Sequence, residues 1–384
     1  MTHRIDSTSV NDIFQSLTEH GFDGMAAAMQ VLLNECMKIE RQEALRAAPY
    51  ERSDQRQGQA NGFKPKHVKT RIGELTLAVP QVRGMQFYPS ALERGVRSEK
   101  ALTLALAEMY VQGVATRKMA KIVEELCGFE VSSSDVSRAA AALDEELEKW
   151  RNRPLGQIKY LILDARYEKV RLAGSVRDCA VFSAVGVDCE GRRSVLGVSV
   201  SLSEAEVHWR TFFQSLLQRG LHGVELIVSD AHAGLVQARQ ACFTGVPWQR
   251  CQFHLFQNAL HHAPTQEIKR EVVDDLRAVF DAPDEPAAKR QLNQVVAKYK
   301  DKAPTLAAWL EESVPEGLTV LRLPPSHRKR LRTTNMLERL NRELKRRTRV
   351  ATLFPNEASL LRLVSAILIE VSEEWESGKR YVTF

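Results

Sequence analysis

The sequence predicts an α/β protein: a mixed β-sheet with helices on both faces, an all-helical stretch inserted late in it, and a mostly helical region in front. Three observations predict it. Apolar runs of strand length crowd between residues 158 and 252, helical spacing dominates on both sides of them, and 384 residues allow two or three domains with a real core.

The first fifty residues carry Ile13, Leu17, Met25, Met29, Leu32, Leu33 and Met37 at helical spacing, broken near Gly21 and Gly24, which predicts one or two helices. From Tyr50 to Pro65 the chain is polar and rich in Arg, Gln, Gly and Asn, and it reads equally as an exposed basic arm or a solvated linker. Alternation over 67–79, split by Ile72-Gly73-Glu74, predicts a small hairpin ending at Pro80. Residues 98–150 predict three helices: 99–112, 116–126 stopped by Gly128, and a third starting at Ser133-Ser134-Asp135 and running on to Trp150. Such a trio suits a helix-turn-helix in which Ser133, Ser134, Ser137 and Arg138 meet base edges and phosphates. It suits a plain helical bundle nearly as well, because Asp144, Glu145, Glu146 and Glu148 make the far half of that helix repel DNA.

Strands follow at 158–164, 180–187 and 193–201, with a turn at Cys189-Glu190-Gly191, then a helix at 204–218, a strand at 224–228, a helix at 234–242 and a strand at 248–252. This β-β-β-α-β-α-β order is that of a ribonuclease-H-like domain. The remainder reads as helical. The resulting organisation is a helical dimerisation region (1–50), a linker and hairpin (51–97), a helical DNA-binding domain (98–150), a catalytic domain (155–262 with 325–376) and an all-helical insertion (263–324).

Charge is informative by its distribution. The chain has 54 Lys and Arg against 48 Asp and Glu, a mild excess, but ten of those cations and only two acids fall between Arg328 and Arg349. This is the strongest polyanion signal in the sequence. Six scattered cysteines without a disulfide framework, a polar N-terminus, and no run near about 18 apolar residues predict a cytoplasmic protein with no membrane partner.

The strands at 158–164 and 224–228 each deliver an acid at the C-terminal end, Asp164 and Asp230. Two such carboxylates side by side suit a pair of Mg²⁺ ions about 3.5–4 Å apart, the arrangement that supports displacement at phosphorus. A third carboxylate is expected from a nearby helix. Glu338 fits, since Leu337, Leu340 and Leu344 form one face of its helix while Glu338, Arg342 and Lys345 share another. Taken singly, each acid has a plainer explanation: Asp164 and Asp230 as turn or helix N-cap residues, Glu338 as partner of Asn335 in an N-x-x-E capping box or of Arg342 in a surface pair. Taken together, two acids at adjacent strand ends and one inside the most basic helix exceed what capping explains. Asp178 and Asp188 compete, but are read as turn residues flanking the second strand. Cys251 and His254 are zinc-ligand types at a spacing that matches no usual zinc site, so a buried, hydrogen-bonded pair is the stronger reading. Trp209, followed by Phe212, Phe213, Leu216 and Leu217, reads as core.

Four stretches carry a resemblance to a known family: Leu163-Asp164-Ala165-Arg166-Tyr167-Glu168-Lys169-Val170-Arg171; Ser229-Asp230-Ala231-His232-Ala233-Gly234-Leu235; Trp248-Gln249-Arg250-Cys251-Gln252-Phe253-His254; and the run from Arg332 through Glu338 to Glu343, continuing to Phe354-Pro355-Asn356. Together with Glu108 to Gly113 and Trp150 to Leu155, they make the chain resemble the Mutator-type transposases of bacterial insertion sequences from about Val10 to Trp375. The resemblance implies a DDE triad of Asp164, Asp230 and Glu338 that binds Mg²⁺, with Mn²⁺ able to substitute, and an all-helical insertion between the second Asp and the Glu. It implies a structural role for Cys251 and His254, and an N-terminal region that dimerises and binds terminal repeats. The expected partners are double-stranded DNA, both terminal inverted repeats and target, and a second copy of the chain on that DNA. No small-molecule substrate is expected, and the place of action is the bacterial nucleoid. The DNA contacts expected from charge are Arg332, Arg339, Arg342, Lys345, Arg346, Arg347 and Arg349, beside Ser134, Ser137 and Arg138. A nuclease that cuts without joining and a non-catalytic DNA-binding regulator are the alternatives.

Overall fold

Helical spacing at the start of the chain becomes a helical hairpin, α1 (Ser7–His20) and α2 (Met25–Leu45), joined by a 3-10 turn at Gly21–Gly24. The turn needs glycine: a Cβ on Gly24 would stand 2.3 Å from the Ser16 carbonyl oxygen. The computed structural model describes residues 7–51, 54–90, 92, 98–349 and 353–384, and the chain divides into two compact units, Met1–Ala142 and Leu143–Phe384.

In the first unit, β1 (Gln59–Thr70) and β2 (Gly73–Arg83) form an antiparallel ribbon. Leu75 and Leu77 of β2 are buried with Met37 of α2, against the partly buried Met29 and Leu33. Gln30 and Asn34, one helical turn apart on α2, accept the backbone N–H groups of Thr76 and Ala78 at 2.7 and 2.8 Å and so cover the outer edge of β2. The ribbon corrects the sequence reading, in which residues up to Pro65 were expected to be linker and the hairpin to begin at His67. Lys64 and Pro65 pair across from Val79 and Ala78, and Pro65 is tolerated because β1 is an edge strand.

Helices α3 (Lys100–Val111), α4 (Thr116–Cys127) and α5 (Ser133–Ala141) pack Leu102, Leu106, Met119, Val123 and Val136 into one cluster. Gly128, at φ 72°, ends α4, and a reciprocal cap between Ser132 and Asp135 starts α5. The third helix does not run on to Trp150 as expected. It stops at Ala141, and the acidic residues assigned to its far half form α6 (Asp144–Arg151) in the second unit, where Asp144 accepts two 2.6 Å bonds from Arg362.

The second unit is built on a five-stranded sheet. β3 (Ile158–Leu172), β4 (Ser175–Asp188) and β5 (Arg193–Ser201) form an antiparallel meander; α7 (Glu206–Gln218), β6 (Leu226–Ser229), α8 (Ala233–Cys242) and β7 (Trp248–Arg250) complete the expected order. The strands lie in the order β5-β4-β3-β6-β7, with β6 and β7 parallel to β3. Leu161, Leu163, Phe182 and Ala184 bury one face against Trp209, Phe212, Phe213 and Leu216 of α7, so Trp209 is core. Among the described residues every regular element beyond β7 is helical: α9 (Gln252–His262), α10 (Gln266–Phe280), α11 (Glu285–Tyr299), α12 (Pro304–Ser313), α13 (Pro325–Leu331), α14 (Asn335–Thr348) and α15 (Glu357–Ser377). Gln249 ties β7 to the 3-10 turns after α12, donating to Gly317 O at 2.8 Å and accepting from Val320 N at 2.7 Å. Among the described residues no helix is long and apolar enough to cross a membrane, and all six cysteines are free thiols.

Candidate active site

Residues 160, 162 and 164 of β3 point away from the α7 core because side chains alternate along a strand. In the parallel pairing of β3 with β6, Ile162 stands opposite Val228, and Asp164 and Asp230 each lie two residues further on. The two carboxylates therefore occupy neighbouring positions. Asp164 is not at a strand end as expected; β3 continues eight residues past it to Leu172, and Asp164 is itself paired with Ser183 of β4. Asp178 also lies inside β4, opposite Lys169, rather than in a turn. Asp188 does hold the turn, accepting from the backbone N–H groups of Glu190 and Arg192.

The helix-cap explanations do not hold. The cap of α8 is His232, not Asp230, whose Oδ1 accepts the N–H of Ala231 at 2.7 Å. Helix α14 begins at Asn335, with Thr334 in the cap position but making no side-chain cap bond, so Glu338 is its fourth residue, one too late for a capping box. No ion pair joins Glu338 to Arg342 among the described residues; Glu338 Oε1 is buried without a hydrogen-bond partner.

Buried Leu337, Leu340 and Leu344 set the rotation of α14 and turn a row one helical turn apart toward β3. Glu338, Asn341, Arg342, Lys345, Thr348 and Arg349 line a cleft of about 780 Å³ together with Asp164, Arg166, Lys169, Phe253 and His254. A chain of bonds locks helix to strand. Asn341 Nδ2 donates to Asp164 Oδ2 at 2.6 Å, Arg166 donates to the Asn341 carbonyl at 2.6 Å and pairs with Glu168, and Thr348 donates to Glu168 at 3.0 Å. Residues 164, 166 and 168 of one strand face thus register two turns of α14. Arg166, Glu168, Asn341 and Thr348 have no assigned role in the sequence, because the bonds of Asn341 to Asp164 and of Thr348 to Glu168 join residues 177 and 180 apart.

The start of α14 is held from β7 as well. Buried Cys251 accepts hydrogen bonds from the backbone N–H and the hydroxyl of Thr334, both at 3.3 Å, and Gln252 N donates to Arg332 O. His254, one turn on in α9, has Nδ1 4.0 Å from Asp230 Oδ1. A hydrogen bond to Cys251, aided by the Asp230 and Asp164 carboxylates, outweighs burial and pulls the imidazole up to about 9. Burial pushes Asp164 up to about 7; the charges of Asp230 and Glu338 add to that rise, and His254 and the Ala165 N–H oppose it. Burial likewise raises Glu338.

The charges of Asp230 and Glu338 both act on Asp164, and Glu338 Oε1 is buried without a hydrogen-bond partner; carboxylate oxygens so placed are of the donor type that suits a divalent cation. Among the described residues no three His, Cys, Asp or Glu side chains are grouped closely enough to hold a metal by themselves.

The cations expected to contact DNA divide. Arg342, Lys345 and Arg349 line the cleft. Arg339 is exposed outside it, Arg332 pairs with Asp281 at 2.6 Å, and Arg346 is exposed and paired with Glu343. Arg347 is corrected: at 7% side-chain exposure it is buried and shared between Glu343 and Glu370, a brace between α14 and α15. Ser134, Ser137 and Arg138 are exposed on α5 in the other unit, where Arg138 pairs with Asp135.

The family described as "Transposase, Mutator family" matches residues 1–378. The chain is 55% identical, over all of both sequences, to a transposase for insertion sequence element IS406 of Burkholderia multivorans. It is 44% identical to a transposase for ISRM5 of Rhizobium meliloti (98% of this chain, 94% of the relative) and 37% identical to one for IS256 in transposon Tn4001 of Staphylococcus aureus (99% of each).

Proposed function

The chain belongs to the Mutator family of transposases, and from that premise we propose that it cuts a phosphodiester at the end of its element and then joins the freed 3′-hydroxyl to a second phosphodiester. The observation that carries this reading is that Asp164 of β3 and Glu338 of α14 line one cleft with the cations of α14, while Asp230, just past the end of β6, lies in the position neighbouring Asp164. These three residues would hold Mg²⁺, or Mn²⁺ in its place. Bound there, such ions supply Lewis-acid activation of a hydroxyl nucleophile and stabilise the leaving oxygen.

The chain's own residues do the rest. Arg342, Lys345 and Arg349 neutralise the phosphates on either side of the scissile bond and orient the strand along α14. Lys169 adds a cation from β3. Asn341 fixes the rotation of the Asp164 carboxylate, and the Arg166–Glu168–Thr348 chain holds α14 so that Glu338 stays at the cleft. His254 stands with Nδ1 4.0 Å from Asp230 Oδ1 and lines the same cleft, where it faces the carboxylates. The strand order β5-β4-β3-β6-β7 supports a ribonuclease-H-like domain over 155–262 and 325–376, with 263–324 as the helical insertion. The exposed face of α5, with Ser134, Ser137 and Arg138, supports recognition of the terminal repeats, and holding two ends at once calls for two copies of the chain on DNA.

The test is a Mg²⁺-dependent reaction on duplex DNA carrying the element's terminal repeat. Joined product from a pre-cut 3′-hydroxyl end is expected. Cutting without joining would make the chain a nuclease, and binding with neither would make it a regulator.

A further inference from the structure

Asp230, Ala231 and His232 are the whole of the segment between β6 and α8, and it is held at both ends. On the β6 side, the Ser229 hydroxyl donates to the Asp230 carbonyl at 2.8 Å and accepts from Trp248 Nε1 at 2.9 Å. On the α8 side the partner is Glu204, from the loop between β5 and α7. His232 stands in the cap position of α8 without a side-chain cap bond, and its Nδ1 lies 3.7 Å from Glu204 Oε2. Two residues on, Gly234 packs against the Glu204 backbone so closely that a Cβ there would stand 2.2 Å from the Glu204 carbonyl oxygen. Glu204 also reaches β3, where the hydroxyl of Tyr167, three residues past Asp164, bonds to it; burial and then that carboxylate raise the phenol above its ordinary value.

The Glu204 side chain is only 12% exposed, and among the described residues no lysine or arginine pairs with it. Glu206, at the start of α7, is the contrast: more exposed, it pairs with Arg210 one helical turn on, as a surface acid does. Taking a carboxylate out of water without such a partner costs stability, so packing alone does not account for Glu204. We propose that Glu204 is a positioning residue for the metal-binding carboxylates, fixing the segment that carries Asp230 against β3, the strand that carries Asp164. It acts through His232, Gly234 and Tyr167, not by contact with metal or DNA. The proposal rests on the reading of Asp164, Asp230 and Glu338 as metal ligands above.

The test is Mn²⁺ titration of the full chain, with free Mn²⁺ read by electron paramagnetic resonance and Asp230→Asn as the blank, beside thermal melting without metal and anisotropy on a terminal-repeat duplex. Glu204→Ala is expected to weaken Mn²⁺ binding by about 10–100-fold, the range for groups that orient a ligand, with melting temperature and DNA affinity near wild type. Glu204→Gln, which keeps an acceptor for Tyr167, should recover most of that affinity, and Glu206→Gln should match wild type. Wild-type Mn²⁺ affinity in Glu204→Ala overturns the proposal and leaves the carboxylate site standing. Parallel losses of melting temperature, DNA affinity and Mn²⁺ affinity also overturn it, by making Glu204 a packing residue. If Glu204→Ala does not fold, Tyr167→Phe decides at a position that is 49% exposed: weakened Mn²⁺ binding supports the proposal, and unchanged binding overturns it. A wild type that binds no more Mn²⁺ than the blank overturns the carboxylate site as well.

Discussion

The two sides of α14 are built from the same residue types and do different things. One side presents Glu338, Arg342, Lys345 and Arg349 to an open cleft, and among the described residues no ion pair within 4 Å holds the three cations. The other spends its charges internally: Arg346 and Arg347 both hold Glu343, and Arg347 also holds Glu370 of α15. The difference shows that a dense basic stretch is not a uniform binding surface. Rotation about the helix axis, fixed by Leu337, Leu340 and Leu344, decides which cations remain available for a phosphate.

That contrast can be broken or sharpened experimentally. The largest effect is expected where α14 is registered against the sheet: Arg166→Ala should lower cleavage by about 10–100-fold, the range for groups that orient a ligand. DNA affinity in the same variant should stay near wild type, because Arg166 is held by the Asn341 carbonyl and Glu168. A proportional loss of binding would place Arg166 on the DNA instead. Next, Arg342→Ala/Lys345→Ala should flatten the salt dependence of DNA binding by about 1.8, while Arg346→Ala leaves it within error. Equal slopes for the two variants would erase the distinction between the sides.

Arg347→Ala should act on stability, costing about 2 kcal/mol; this is below the 3–5 expected of a fully buried pair because Glu370 is 47% exposed. Denaturant titration reads it. The smallest effect concerns acid. Arg346, then Arg347, hold Glu343 down to about 2 from an ordinary 4.5, so its folded value is depressed. The stabilisation is then present above 4.5 and is lost as pH falls from there toward 2. Glu343→Gln should remove that part of the fall in melting temperature; an unaltered pH profile would mean the pairs are too solvated to matter.

Much of the second unit was legible in the sequence. β5 coincides with the expected 193–201, and the β-β-β-α-β-α-β order holds, because strands in a sheet core read as apolar runs bounded by turns. What was missed is polar. The outer half of β3, Arg166 to Leu172, pairs with β4 and is met on its other side only at Phe354, and the first half of β1 pairs with β2 alone, so most of their residues stay polar. The break after Ala141 escaped notice because no Gly or Pro marks it. At the site, the spacing of Glu338, Arg342 and Lys345 gave away their common face. The bonds of Asn341 to Asp164 and of Thr348 to Glu168 span 177 and 180 residues, and no local pattern encodes such a pairing.

The central claim is that Asp164, Asp230 and Glu338 act as one catalytic set. The most direct test compares Asp164→Asn, Asp230→Asn and Glu338→Gln with wild type for Mg²⁺-dependent cutting and joining of terminal-repeat DNA, with binding measured alongside. The account predicts that all three bind DNA like wild type and lose both reactions by on the order of 10³ or more, beyond the 10–100-fold of an orienting residue. A Glu338→Gln variant that still cuts and joins would contradict it and would put the third carboxylate elsewhere.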